Sequence, residues 1–349
     1  MRVNSFRGRA YDEVFATCEL PAAPGTGDLS GALDRFHRRT GGTPLNAVVF
    51  GTLGARPGTL PGVPAIYAGD QYPRDTPAAA LELRGIVPTG PGVTVDTSWP
   101  GAVTVRADGT TRLLCAVHRA AGTSFVRQAT DAFETVAEAL ARAGLTPRHI
   151  GRTWYFISDI DVHYDDFNTV RNTYFDAWGL TRYPASTGIG AALPGDALIS
   201  VLVEATDADD GEFGTFDTGL QCPPVSYGPR FVRANESLAN GLRTVNVSGI
   251  SSVTRDGSSL SGDLGALVDH TMRSFFDLLA TTGMTPPDIA SAYVYCKGDE
   301  VRAAFERYAR ERGLGFPRLV NHVDVCRPDL VLEIEARAVR PAAPTESPS

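Results

Sequence analysis

Apolar side chains recur at Phe125, Ala129, Phe133, Val136 and Leu140, the three-and-four spacing that gathers one face of a helix, and Gly144-Leu145-Thr146-Pro147 closes the run. Leu264, Leu267, Val268, Phe275 and Leu278 repeat the figure, closed by Gly283-Met284-Thr285-Pro286. In both, glycine accepts the left-handed cap and proline bars continuation. A strand-like run follows each cap, residues 153–157 and residues 292–296. Gly144 and Gly283 are 139 residues apart, and so are Trp154 and Tyr293, which marks an internal repeat.

The repeat continues in step. Residues 167–178 predict a second helix stopped by Gly179-Leu180, and residues 300–311 predict its counterpart stopped by Gly313-Leu314. Each copy then ends in an apolar strand that carries glutamate: residues 198–204 with Glu204, and residues 330–335 with Glu333 and Glu335. Strand, helix, strand, helix, strand written twice calls for helices layered on sheets, hence an α+β chain of two tandem modules, each a β-sheet with two helices. The first is expected over residues 1–222. Its extended N-terminal part holds short strands such as Ala47-Val48-Val49-Phe50-Gly51 among Gly and Pro. The second is expected over residues 223–340, after a joint near 211–228, and a solvated tail over 341–349. A chain of 349 residues is long enough for two such cores. The stretch Ser186-Thr187-Gly188-Ile189-Gly190-Ala191 lacks the spacing of a phosphate loop and reads as a turn into the last strand of the first copy.

Composition narrows the partners. Hydrophobic residues at 43% and charged residues at 21% describe a packed globular protein. The formal charge of −8, with no dense run of Lys or Arg, argues against nucleic acid. Lys297 is the only lysine, so an anion site here would use guanidinium forks, although a GC-rich coding genome produces the same bias. Cys18, Cys115, Cys222, Cys296 and Cys326 form no CxxC pair, which fits reduced thiols in the cytoplasm. No apolar stretch approaches a membrane span of ~18 residues. The six histidines show no paired metal spacing, and His163 beside Asp161, Asp165 and Asp166 reads as a solvated loop.

Both modules resemble the Rid/YjgF superfamily, whose small sheet-plus-two-helix (chorismate mutase-like) domain assembles as a trimer. Two copies in one chain imply a pseudo-trimeric arrangement, as a monomer or a homo-oligomer through such interfaces. The second half is more specific. Ser226-Tyr227-Gly228-Pro229-Arg230-Phe231-Val232-Arg233-Ala234, Val247-Ser248-Gly249-Ile250-Ser251, Asp324-Val325-Cys326-Arg327 and Leu332-Glu333-Ile334-Glu335-Ala336 resemble the chorismatases in order and spacing, as do Arg152-Thr153-Trp154 and the 186–191 stretch. The resemblance implies a cofactor-free cleavage of chorismate to pyruvate and a cyclic acid in secondary metabolism. The match of Gly249 and Cys326 implies the branch that forms 3-hydroxybenzoate over the one that forms a dihydroxycyclohexadiene carboxylate. The chain departs from the family where Tyr155 replaces an Asn, Tyr293 a frequent Lys, and Asn172-Thr173-Tyr174-Phe175 a Phe-Cys-Val-Gly-Arg pattern. These changes remove positive charge, which admits a modified chorismate or another enol ether as substrate.

Such a substrate is a dicarboxylate that must be protonated on carbon. Glu333 is the expected catalytic acid, since desolvation on a buried strand keeps a carboxyl neutral. Glu335 shares its face, strand neighbours two apart having the same parity, and only the resemblance selects Glu333. Tyr227 and Arg230 flank a Gly-Pro turn and are expected to meet a carboxylate, with Arg152 and Arg233 as further cationic candidates. Ser248, Gly249 and Cys326 are expected to line the pocket. Gly249 serves either to make room or to form a β-bulge, and Cys326 as a wall rather than a nucleophile. A Rid-type imine or enamine deaminase, using an arginine near Arg318 or Val320, and a non-catalytic binder of small carboxylates are the alternatives.

Overall fold

The computed structural model describes residues 1–118, 124–208 and 213–343, with Tyr227 described by its backbone alone. Of the expected tail, residues 344–349 lie outside the described residues, and Pro341 instead ends the last strand. Residues 211 and 212 of the expected joint lie outside them as well.

The repeated helices form where their apolar spacing places them. Helices α2 (Phe125–Ala143) and α4 (Leu264–Thr281) are capped at the N-terminus by Ser124 and Asp263, whose side chains accept from the third backbone N–H beyond, and end at Gly144 (φ 79°) and Gly283 (φ 69°). Strands β9 (Ile150–Ile157) and β15 (Ile289–Cys296) follow, buried along their whole length. Helix α3 (Ile160–Ala177) begins about two turns ahead of the apolar signal, because its first residues are mostly polar and solvated; α5 (Asp299–Glu311) matches expectation to within a residue. His163 lies in α3, not in a loop, and its ring stacks on Phe125 at 4.5 Å.

Residues 185–190 correct the sequence reading. They form strand β10 (Ala185–Gly190), paired in parallel with β9, rather than a turn. The glycines there serve close approach, since a Cβ on Gly190 would stand 2.9 Å from that of Asp324.

Three sheets, not two, share one plan. In the middle of the chain β7 (Ala102–Ala107), β8 (Thr110–His118), β9, β10 and β11 (Ile199–Thr206) run in spatial order β10-β9-β11-β8-β7, extended at the edge by β6 (Thr94–Asp96). The C-terminal sheet repeats it with β13 (Ala234–Ala239), β14 (Leu242–Ser251), β15, β16 (Leu319–Asn321) and β17 (Leu332–Pro341), extended by β12 (Gly214–Phe216). The stretch read as an extended N-terminal part is itself the third: β1 (Arg2–Phe6), β2 (Tyr11–Leu20), β3 (Thr43–Gly51), β4 (Ala65–Gly69) and β5 (Ala79–Pro88), with helix α1 (Thr26–Thr40). Its order, β1-β2-β5-β3-β4, is the same order. All three carry a register shift in one place, at Leu45, Gly151 and Ala290. The N-terminal copy lacks a second helix because residues 52–64 are short and punctuated by Pro57, Pro61 and Pro64.

Each sheet buries one face under its own helices and turns the other toward a common interior. There the three copies contribute matching residues, Phe50, Phe156 and Tyr295 in one layer and Val48, Trp154 and Tyr293 in the next. The Phe50 ring lies 6.1 Å from Phe156 and 4.9 Å from Tyr293. Beyond the aromatic layers the interior becomes ionic. Glu204 accepts from Arg84 at 3.1 Å, from Arg112 and from Arg337; although burial opposes it, Arg112, Arg337 and Arg84 hold its carboxyl well below the usual range.

Candidate active site

A cavity of about 430 Å³ opens where the middle and C-terminal sheets meet. The edges are joined there: Ala185 of β10 bridges Val232, and the Ser186 N–H donates to Ser248 Oγ at 2.8 Å while Ser248 Oγ donates to the Val232 carbonyl at 2.5 Å. Strands β14 and β17 supply Gly249, Ser251 and Glu333; the segment ahead of β13 supplies Phe231 and Arg233; the segment ahead of β17 supplies Cys326, Arg327 and Leu330; α3 supplies Tyr164, Asp165, Asn168 and Asn172.

Glu333 is 4% exposed, and its carboxyl has no hydrogen-bond partner among the described residues. Burial first, then the negative charge of Glu335, pushes its pKa up to about 8 against the pull of Arg233 and Arg152. Glu335, two residues along and equally buried, has the opposite surroundings. Arg152 forms an ion pair with it, Trp154 Nε1 donates to it at 2.7 Å, and Thr187 donates a third bond. Arg152 also donates to Thr187 at 2.6 Å and lies 4.5 Å from the centre of the Trp154 ring. Two carboxyls on one strand face thus sit in different environments, Glu335 held by a cation and two further donors and Glu333 by none among the described residues.

Gly249 makes this possible. A Cβ there would stand 2.6 Å from the Glu333 carboxyl carbon, and the ladder between β14 and β17 shifts register across Val247 to Ile250, so the glycine both makes room and sits in a bulge. Cys326 is half-buried on the cavity wall; burial and then Glu333 push its thiol up to about 12, which leaves it a wall and not a thiolate.

Of the residues singled out from sequence, Glu333, Arg233, Gly249 and Cys326 therefore meet at one cavity. Arg233 is 3% exposed and donates to the Cys222 carbonyl at 3.1 Å. Three others lie elsewhere. Arg152 is buried behind the cavity against Glu335. Arg230 turns to Asp176 and, at 3.3 Å, to the Asn172 carbonyl, and is not among the cavity residues. Ser248 is spent on the strand junction. The Tyr227 side chain lies outside the described residues; its backbone ends a short 3-10 turn, Pro224–Tyr227. Arg318 donates to the Leu314 carbonyl at 2.9 Å and is not among the cavity residues. Sequence reasoning passed over Arg327, which lines the cavity beside Cys326 and donates to the Gly257 carbonyl at 2.8 Å, and the α3 wall. The Arg signal stood next to the cysteine; the α3 wall gave none, because its cavity face is polar and reads like solvated helix.

Known proteins bear on the fold. Residues 116–206 match the family model "Endoribonuclease L-PSP". No curated protein matches the sequence. Among solved structures, a chorismatase superposes with a TM-score of 0.67 at 19% identity, covering 93% of this chain and 98% of that one. Yeast Mmf1 matches at 22% identity over 37% of this chain and 99% of its own, TM-score 0.31, and the YjgF gene product of E. coli at 26% over 36% and 98%, TM-score 0.29. No helix among the described residues is long and apolar enough to cross a membrane. The chain is thus an α+β protein with the Rid/YjgF-like fold repeated in tandem, an architecture it shares with a chorismatase.

Proposed function

We propose that this chain cleaves chorismate, or a closely related enolpyruvyl ether, to pyruvate and a cyclic acid, with Glu333 as general acid. The observation that carries the reading is a buried, unpartnered, proton-holding carboxyl that faces a cavity lined by two arginines, Arg233 and Arg327. A vinyl ether is cleaved by adding a proton to its terminal methylene. The double-bond electrons form the new C–H bond, the ring C–O bond breaks with its pair going to the departing oxygen, and pyruvate leaves. The neighbouring hydroxyl oxygen then closes on the ring cation, its original bond to the adjacent ring carbon breaks with the pair going to oxygen, and a ring proton is lost to the Glu333 carboxylate to make the ring aromatic; alternatively the cation adds water, which gives up a proton to the same carboxylate.

An acid with a pKa of about 8 is protonated at neutral pH and still strong enough to transfer. Arg233 and Arg327 suit the two carboxylates, and Arg152 with Glu335 stiffens the strand beneath Glu333. Phe231, Val253, Leu330 and Cys326 make one side of the cavity apolar, which favours the aromatic product, 3-hydroxybenzoate, over hydration. The test is incubation of the purified protein with chorismate, with pyruvate and the ring acid followed together. Glu333→Gln should lower turnover about 10²–10⁴-fold with the fold retained. Unchanged turnover in that variant removes Glu333 from the mechanism, and thermal stabilisation by chorismate without any pyruvate leaves a carboxylate binder.

A further inference from the structure

The α3 wall does not suit a simple dianion. Asp165, Asn168 and Asn172 stand at i, i+3 and i+7, on the helix face turned to the cavity. The Asp165 carboxylate has no ion-pair partner among the described residues, and the Asn172 side-chain oxygen is buried with no hydrogen bond. Asn168 differs, its oxygen accepting from Arg171 at 2.7 Å. The wall thus brings the unpaired Asp165 carboxylate, and the Asn172 amide, whose buried oxygen reaches the cavity by a half-turn of the amide, to the same space that Arg233, Arg327 and Glu333 enter from the strands. With Glu333 neutral, two arginines and one aspartate leave the cavity a formal charge of +1. A plain dicarboxylate over-neutralises it and places an anion near Asp165. A ligand with two carboxylates and one ammonium balances it and fills the acceptors.

We propose that the cavity selects an enolpyruvyl ether whose ring carries a protonated amine in place of a hydroxyl, with Asp165 and Asn172 as its specificity residues. This rests on the reading above and narrows it: an ammonium has no lone pair to close on the ring cation, so that cation instead returns the hydrogen of the amine-bearing ring carbon to Glu333 as a proton and becomes an aminobenzoate. The same wall stands where the chain departs from the chorismatase-like sequence pattern, at Asn172-Thr173-Tyr174-Phe175.

The experiment compares kcat/KM for chorismate and for its analogue with the ring hydroxyl replaced by an amine, in the parent, Asp165→Asn and Asn172→Leu. Asp165 is exposed, so its variant is expected to fold, and circular dichroism checks this. A charged hydrogen bond predicts about a tenfold preference for the amine in the parent. Asp165→Asn should reduce the amine's kcat/KM by about tenfold and raise that of chorismate, and Asn172→Leu should lower the amine's more than chorismate's. A parent that prefers chorismate, or a ratio that Asp165→Asn does not move, overturns the proposal. If neither compound yields pyruvate, the catalytic reading fails separately, and thermal shift with the same two compounds decides this one. Tighter amine binding that Asp165→Asn abolishes supports it, and equal binding overturns it.

Discussion

Ala80 on β5, Ser200 on β11 and Glu333 on β17 occupy one place in three sheets, each opposite the interior aromatic of its neighbouring strand, Phe50, Phe156 and Tyr295. In the N-terminal sheet the position is filled by a methyl group. In the middle sheet Ser200 is fully buried and lies 2.6 Å from His118 Nδ1, a satisfied contact. Only in the C-terminal sheet does the position hold an acid, and only there does the facing strand have a glycine and a bulge to receive it; Ala116 stands in the place on β8 that Gly249 takes on β14. Arg84, Glu204 and Arg337 form a second such triplet. Three identical copies would set like charges together at that point, whereas one fused chain places a glutamate between two arginines. Covalent fusion frees each copy to differ, so a fold built for symmetry can hold one dry acid.

The comparison can be broken most forcefully at Arg152. Arg152→Met leaves Glu335 buried without its cation beside a second carboxyl, and unfolding by denaturant should show a loss of about 3–5 kcal/mol. Gly249→Ala gives the C-terminal sheet the residue that the middle sheet has. The added methyl must displace the Glu333 carboxyl, and we expect about 1–3 kcal/mol of destabilisation together with a fall in turnover.

Titration sharpens the contrast without substitution. Glu333 keeps its proton in the folded chain up to about pH 8, while the unfolded chain releases it near the ordinary value of 4.5. The folded state therefore binds more protons across that window, and this group's contribution to stability declines as pH rises from 4.5 to 8 and is level above it. Melting temperatures of the parent and Glu333→Gln should diverge in that sense, and turnover should fall about tenfold per pH unit above 8. A rate that climbs steadily through pH 9 would contradict an acid at this position. The smallest effect is expected from Arg230→Ala, which removes a partly exposed pair with Asp176, neither residue lining the cavity, and should leave kcat/KM within about twofold.

The amino-acid pattern alone determined the four helices of the middle and C-terminal copies, their glycine caps, the 139-residue repeat and the placing of two glutamates on one buried strand, because these follow from local periodicity and backbone stereochemistry. It missed the N-terminal copy, α1 included, where proline and glycine stand in place of the second helix and the repeated order of strands and helices is left incomplete. It read β10 as a turn, since two glycines hide a strand whose spacing is set by a neighbour. That the Glu333 carboxyl is held without a partner among the described residues, which arginines face the cavity and which lie behind it, and that α3 contributes a polar wall were decided by packing between sheets. Proton affinity and charge pairing depend on what lies within a few ångströms in space, and residues as far apart as Arg152 and Glu335 become neighbours only when the three sheets close on one interior.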